Sequence, residues 1–383
     1  MPSNRAGDDH PVLCVVGARP NYMKMAPILE AFAAHAPPVP ALLVHTGQHY
    51  DVAMNDQHFQ ALGLPKPDIS LEVGSASHAV QTAEIMKRFE PVVDEHAPSA
   101  VLVVGDVNST LACALVASKK GVPVVHVEAG LRSFDRAMPE EINRVLTDQI
   151  SDLLFTTEAE AAENLAREGI EARRVRFVGN VMIDSAHRNL AKAVPAVETL
   201  AGFGPPQRYG VLTLHRPSNV DDPETLTRLL GTLAEVAAEL PLAFALHPRT
   251  RARVEQAGLQ HLLETPGLMI LPPVDYLAML GLQREATLVL TDSGGLQEET
   301  TALGVPCITL RENTERPITV TQGTNTIVGT DPAAIRTAVA GVLAGRGKAG
   351  RVPELWDGEA AGRIAAEMHA AVARGFALEP KNG

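Results

Sequence analysis

The sequence predicts an α/β protein made of two Rossmann-like, doubly wound domains. Short β-branched apolar runs alternate with amphipathic stretches along nearly the whole chain, which is how βα units of a parallel sheet read. The alternation lapses over residues 194–209, where three prolines and two glycines cluster, and then restarts. A chain of 383 residues also suits two domains at the usual ~100 to 200 residues each.

In the first half the strand-like runs fall at 12–16, 41–45, 100–104, 122–127, 153–156 and 175–178. Helix-like segments lie between them at 23–35, 79–96, 110–120 and 159–168, each with apolar residues at three- and four-residue spacing. After the break, strand-like runs recur at 211–214, 242–246, 269–271, 288–291 and 306–310. These runs place the first domain at 1–185 and the second at 186–357, with an alanine-rich C-terminal helix over 358–376 packing back on the first. Open α/β sheets bind ligands outside the carboxyl ends of their strands. Two such domains in tandem are therefore expected to face each other across a cleft, with the chemistry on strand-end residues.

Hydrophobic residues make up 45% and charged residues 20%, values that exclude a disordered or collagen-like chain. The formal net charge of −12 sets the overall field against nucleic acid and anionic membranes. An anionic substrate thus requires a locally basic pocket. Aromatics at 4% argue against base-stacking platforms, and the single tryptophan, Trp356, reads as packing. Cys14, Cys113 and Cys307 lie far apart in apolar runs, form no metal or redox spacing, and read as buried thiols of a cytoplasmic protein. The apolar run at 11–18 is too short and wrongly flanked for a signal peptide, and no run approaches the ~20 apolar residues of a membrane span.

The strand ends carry the chemistry-bearing residues. After the first run come Gly17, Ala18, Arg19 and Pro20, with Lys24 further along the helix; a glycine turn, bare N–H groups and two cations suit an anion, and an ordinary turn with solvated charges explains them as well. Gln48 and His49 follow the second run in another glycine turn. The next two tips are acidic. Asp106 either caps the helix that follows or works on a ligand, and Glu128 has Arg132 as its nearest neutralising cation in sequence. Pro139, Glu140 and Glu141 read as a helix start with acids in the first turn, Glu140 having Arg144 at i+4.

In the second half His215 and Arg216 end one strand and His247 the next. The strongest local signal is Asp292-Ser293-Gly294-Gly295, where a strand end opens a helix with bare backbone N–H groups and Glu299 follows. That pattern cradles a diphosphate and leaves an acid near a ribose diol. Arg316 lies on the loop after the next strand, as a ligand cation or a solvated ion pair. No glycine-rich dinucleotide fingerprint follows the first strand, so hydride chemistry has no seat, and there is no Walker lysine motif.

In order along the chain stand GARPNYMKMAP, TGQHYD, GDVNST, HVEAGLRS, PEEINR, VGN, LHRPSN, TDSGGLQEE and RENTERP. In these motifs the chain resembles the non-hydrolysing UDP-N-acetylglucosamine 2-epimerases, which have the glycosyltransferase-B (GT-B) fold. The resemblance implies interconversion of UDP-GlcNAc and UDP-ManNAc at C2 through elimination of UDP to 2-acetamidoglucal and re-addition. Such an enzyme supplies activated sugar for cell-surface polysaccharide synthesis, as a homodimer without cofactor or metal. By matched motif, Asp106, Glu128 and Glu140 become the acid/base carboxylates, with Lys24, Arg144 and His215 as further catalytic groups. Arg19, Gln48, His49, Arg216, His247, Ser293, Gly294, Gly295, Glu299 and Arg316 become substrate-binding.

Two departures stand out. The stretch between Arg132 and Pro139 is shorter than in other members, and Pro217 replaces a second arginine after Arg216. They leave activation by a second substrate molecule open and admit a sugar altered at C3 or carried as a uronic acid. A glycosyltransferase of the same fold is the alternative from another class; it shares the Ser-Gly-Gly turn and Glu299 but has no need of three strand-end acids.

Overall fold

The computed structural model describes residues 10–47, 64–204 and 206–377, the side chain of Arg19 excepted. They cluster into two units, Met1–Ser185 with Glu354–Gly383, and Ala186–Pro353. In the first, β1 (Val12–Val16), β2 (Ala41–His45), β3 (Ile69–Ser70), β4 (Ala100–Val104), β5 (Val124–Ala129), β6 (Leu153–Thr156) and β7 (Val175–Phe177) build one parallel sheet in the order β3-β2-β1-β4-β5-β6-β7. The order reverses between β1 and β4, the switch point where such sheets place ligands.

Helices α1 (Arg19–Ala34), α2 (His78–His96), α3 (Asn108–Lys119), α4 (Pro139–Ile150), α5 (Ala159–Arg167) and α6 (Val181–Leu190) follow the strands in turn, the last running on into the second unit. Leu13, Val15, Val101 and Val103 are buried against Ile85, Phe89, Ala112 and Val116 of α2 and α3. Gly17 is required at the end of β1: a Cβ there would stand 2.6 Å from Ser109 Cβ and 2.8 Å from Thr46 Oγ1. Only glycine lets α3 approach the switch point so closely.

Residues 354–357, placed by sequence in the second half, cluster with the first unit. Trp356 is 1% exposed and donates its indole N–H to the Thr157 carbonyl at 3.0 Å. Asp184 then accepts from the N–H groups of Ala360 and Ala361 at 3.2 and 2.7 Å, capping the C-terminal helix (Ala360–Ala373), which packs along α1.

The second unit repeats the plan. Strands β8 (Gly210–Thr213), β9 (Leu242–Ala245), β10 (Leu268–Leu271), β11 (Leu288–Thr291), β12 (Cys307–Thr309) and β13 (Asn325–Ile327) form a parallel sheet ordered β10-β9-β8-β11-β12-β13. Its switch point lies between β8 and β11. Leu212, Leu214, Phe244 and Leu290 meet Leu226, Leu229, Leu230 and Leu233 in its core. Strands β3 and β13, with two and three residues, are too short to show a period in the sequence. All three cysteines are free and buried, and among the described residues no helix is long and apolar enough to cross a membrane.

Candidate active site

In the first unit the switch point collects four charged groups around the Gly105 turn. Lys24, on α1, pairs with Glu128 at the tip of β5, both side chains being buried. Its Nζ lies 3.1 Å from where a Gly105 Cβ would stand, so the ammonium sits directly over that turn. Arg144, on α4, pairs with Asp106 just after it. Asn21 ties the turns together, accepting from Gly17 and Ala18 N–H at 3.2 and 3.1 Å and donating to the Val104 carbonyl at 2.9 Å.

Glu128 holds a left-handed φ of +73°, a conformation that non-glycine residues adopt at a cost and mostly at functional sites. The β5–β6 register shifts between Val127 and Ala129, leaving Glu128 in the irregularity. Its carboxylate is thereby re-aimed at the strand tip.

Several readings from local sequence change. Arg132 does not neutralise Glu128; it pairs with Asp148 and Glu168 at 2.7 and 2.6 Å, and Lys24 takes its place because α1, packed on β1 and β4, carries that side chain to the tip of β5. Asp106 does not cap α3, whose N-cap makes no side-chain hydrogen bond. Arg144 reaches Glu141 at 2.7 Å rather than Glu140. Glu140, half-buried in the first turn of α4, pairs with no side chain among the described residues.

Glu141 is more than a helix-start acid. It accepts from Ser133 and Phe134 N–H at 3.0 and 2.9 Å while gripping Arg144. Burial works to raise its pKa, but the Ser133 N–H, the Arg144 guanidinium and the Phe134 N–H outweigh it and hold the carboxyl below its ordinary range.

In the second unit Asp292, fully buried, organises the end of β8. It accepts from His215 N–H at 2.9 Å, Arg216 N–H at 2.9 Å and Asn219 Nδ2 at 3.2 Å, and meets His215 Nδ1 at 2.8 Å. Burial raises its pKa, but these hydrogen bonds prevail and the net direction is down. With Nδ1 held by Asp292, Nε2 is the His215 nitrogen left for a ligand. The His247 ring lies 5.7 Å from it, centre to centre.

Ser293 precedes α10 (Gly294–Leu303), and its hydroxyl makes no cap hydrogen bond, so the first-turn N–H groups are not taken up by their own N-cap. The longer helices ahead of it in this unit are α7 (Pro223–Glu239), α8 (Pro248–Gln256) and α9 (Tyr276–Glu285), with single turns of helix at Ala196–Thr199, Pro217–Val220 and Gln260–Leu263. A Cβ at Gly294 would stand 2.5 Å from Glu315 Oε1. Arg216, Arg311 and Arg316 surround Glu315 and Glu298, with contacts of 3.6, 2.9 and 2.8 Å. Despite burial, those guanidinium groups hold the Glu315 carboxyl well below the usual carboxylate range. Arg316 is thus a buried ion-pair member, not a solvated loop cation.

Glu299, on α10, is 2% exposed, and burial pushes its pKa up to about 7 even though the Gln283 amide donates to it at 2.7 Å. The structure thus brings Lys24, Asp106, Glu128 and Arg144 together at one switch point, and His215, Arg216, Ser293, Gly294 and Gly295 at the other. Gln48, His49 and the Arg19 side chain lie outside the described residues.

Sequence reasoning missed Glu141, Asp148 and Asp292 as organisers. A signal existed in α4: Glu141, Arg144 and Asp148 at helical spacing face inward, whereas Ile142 and Leu146 are 41% and 46% exposed. That inversion of ordinary amphipathicity marks a buried charged face.

Tandem parallel sheets with a charged cluster at each switch point define an α/β enzyme of the GT-B type. The family described as UDP-N-acetylglucosamine 2-epimerase matches residues 33–369. A UDP-N-acetylglucosamine 2-epimerase of Methanococcus maripaludis is 42% identical over 335 residues, covering 86% of this chain and 90% of that protein. The UDP-2,3-diacetamido-2,3-dideoxy-D-glucuronate 2-epimerase of Pseudomonas aeruginosa is 42% identical over 321 residues, covering 83% and 88%. A solved structure of the Methanocaldococcus jannaschii UDP-GlcNAc 2-epimerase, in complex with UDP-GlcNAc and UDP, superimposes with a TM-score of 0.86 at 39% identity, covering 94% of this chain and 99% of that one. The chain belongs to the UDP-N-acetylglucosamine 2-epimerase family.

Proposed function

We propose that the protein interconverts UDP-GlcNAc and UDP-ManNAc by eliminating UDP and adding it back. The observation that carries this reading is the cluster at the first switch point, where two carboxylates, each paired with a cation, converge on the Gly105 turn. The C2–H bond of the sugar is not activated by a carbonyl, so direct deprotonation is prohibitive. Breaking C1–O as the C2–H electrons form C1=C2 expels UDP and gives 2-acetamidoglucal, the proton passing to a carboxylate. A proton then arrives at C2 from the other face as UDP re-adds at C1. Two faces need two groups, or one group and water, drawn from the three carboxylates Asp106, Glu128 and Glu140, with Lys24 and Arg144 fixing charge around them.

In the second unit the N–H groups opening α10, with Ser293, Arg216 and His215 Nε2, are assigned to the diphosphate, whose charge grows as it leaves. Glu299 is assigned to the ribose. His247, Arg19, Gln48 and His49 are assigned to substrate contacts by family match, and Arg316 to the cationic shell behind the diphosphate. Elimination and re-addition need neither NAD nor metal. The three free, buried cysteines support a reducing, cytoplasmic setting for the reaction.

The protein is proposed to act as a homodimer through the outer face of α4, where Ile142 lines an apolar groove of about 410 Å³ with Ala79, Ala83, Met86 and Pro139, and Leu146 is exposed one turn further on. A second reading, a C3-modified UDP-hexosaminuronic acid as substrate, is favoured by the short 133–138 stretch and Pro217, and by the diacetamido-glucuronate relative.

Incubation with UDP-GlcNAc in D₂O with EDTA, followed by NMR, is expected to show deuterium at C2 and a manno-configured product. Unchanged UDP-GlcNAc, with turnover of the diacetamido-glucuronate, selects the second reading. Asp106→Asn and Glu128→Gln are expected to keep UDP affinity and lower turnover about 10²-fold or more. Wild-type rates in both sink the mechanism.

A further inference from the structure

Asp148 has no place in the proposed chemistry, yet it is fully buried and pulled below the ordinary carboxylate range: burial pushes it up, and His126 and Arg132 more than reverse this. Its oxygens meet two points of the chain that flank Glu128, one in β5 and one just past its end. Oδ1 contacts Nδ1 of His126, two residues before Glu128, at 2.6 Å. Oδ2 accepts the N–H of Gly130, two residues after it, at 3.0 Å. Arg132 also reaches Oδ2 at 2.7 Å, its fork anchored in turn by Glu168 at 2.8 and 2.6 Å. The second nitrogen of His126 meets the carbonyl of Gly105, the residue before Asp106, at 2.8 Å.

We infer that Asp148 is a positioning residue, a clasp that holds the chain on both sides of Glu128 and, through His126, fixes the turn that carries Asp106. A left-handed glutamate persists only where its surroundings over-determine it, and a single carboxylate bonded two residues before and two residues after does so. Stability alone is a poor account of such a network, because buried ion pairs are often no more stabilising than apolar residues of similar volume. Its geometry serves the two strand tips instead.

The inference rests on the proposed reaction insofar as Glu128 and Asp106 act on C2. Asp148→Asn replaces one acceptor oxygen with an NH₂ group, which then faces either the His126 donor at the Oδ1 position or the Gly130 and Arg132 donors at the Oδ2 position. It is expected to lower kcat about 10²-fold, keep UDP affinity within about threefold, and enlarge the C2-deuterium isotope effect as proton transfer becomes slower. Loss of folded protein alone would leave the isotope effect unchanged.

In a crystal structure of that variant Glu128 is expected to leave the left-handed region, a readout that stands even if the wild type shows no exchange at C2. Exchange by the wild type tests the reaction itself. Should the variant not fold, His126→Asn, which keeps a donor toward Asp148, is expected to retain more turnover than His126→Gln, which keeps only the Gly105 side. Near-wild-type turnover of Asp148→Asn, an unchanged isotope effect beside lowered turnover, an undisturbed Glu128, or the reverse order of the His126 variants would overturn the clasp.

Discussion

Glu299 shows how burial of a single acid ties stability to pH. Burial raises its pKa to about 7, against an ordinary value of 4.5, and its hydrogen-bond partner Gln283 is neutral. The folded protein therefore holds this proton more tightly than the unfolded chain. The corresponding stability is fully present below pH 4.5 and is lost as pH rises toward 7 and beyond, by about 3 kcal/mol at most. Glu299→Gln is expected to raise the melting temperature at pH 8 more than at pH 5, while weakening UDP binding by about tenfold through loss of the proposed ribose acceptor. Equal shifts at both pH values would place the proton elsewhere. Asp292 illustrates the opposite case, an acid kept charged by His215 and Arg216. Its TDSGG context was visible in the sequence, but its partners across the β8–β11 pair were not.

Helix α4 presents two chemically unlike faces. Its inner face supplies Glu141, Arg144 and Asp148 to the strand tips, and its outer face exposes Ile142 and Leu146. Pro139 and two first-turn acids made its start legible. The pairing of Arg144 with Asp106, 38 residues away in sequence, was legible only once β4 and α4 stood side by side. If the outer face is covered by a second copy, Ile142→Glu with Leu146→Glu should yield a monomer by light scattering, with the far-UV spectrum unchanged. A dimer that survives both charges would move the interface to another face.

At the scale of the whole molecule, the chain leaves the first unit within α6, builds the second, and returns at Glu354. Trp356 and the C-terminal helix complete the first unit, so residues at the far end of the sequence stabilise its beginning. Trp356→Ala removes a fully buried side chain and its hydrogen bond to Thr157. It is expected to cost about 3–5 kcal/mol, read by urea denaturation as an earlier unfolding of the first unit, with UDP binding assigned to the second unit retained in the native range. A shift below about 1 kcal/mol would mean that the first unit holds without its C-terminal segment.

The sequence by itself determined the two parallel α/β units, most strand positions, and the residue types at their carboxyl ends, because hydrophobic periodicity and glycine turns are local signals. The family followed from nine ordered motifs in the same way. Only the tertiary structure decided which charges pair: Lys24 rather than Arg132 with Glu128, Asp106 with Arg144 rather than a helix N-terminus, and Asp148 with the chain on both sides of Glu128. Those choices depend on strand order and on a register shift at one bulge, and a local pattern does not encode which element will stand beside it.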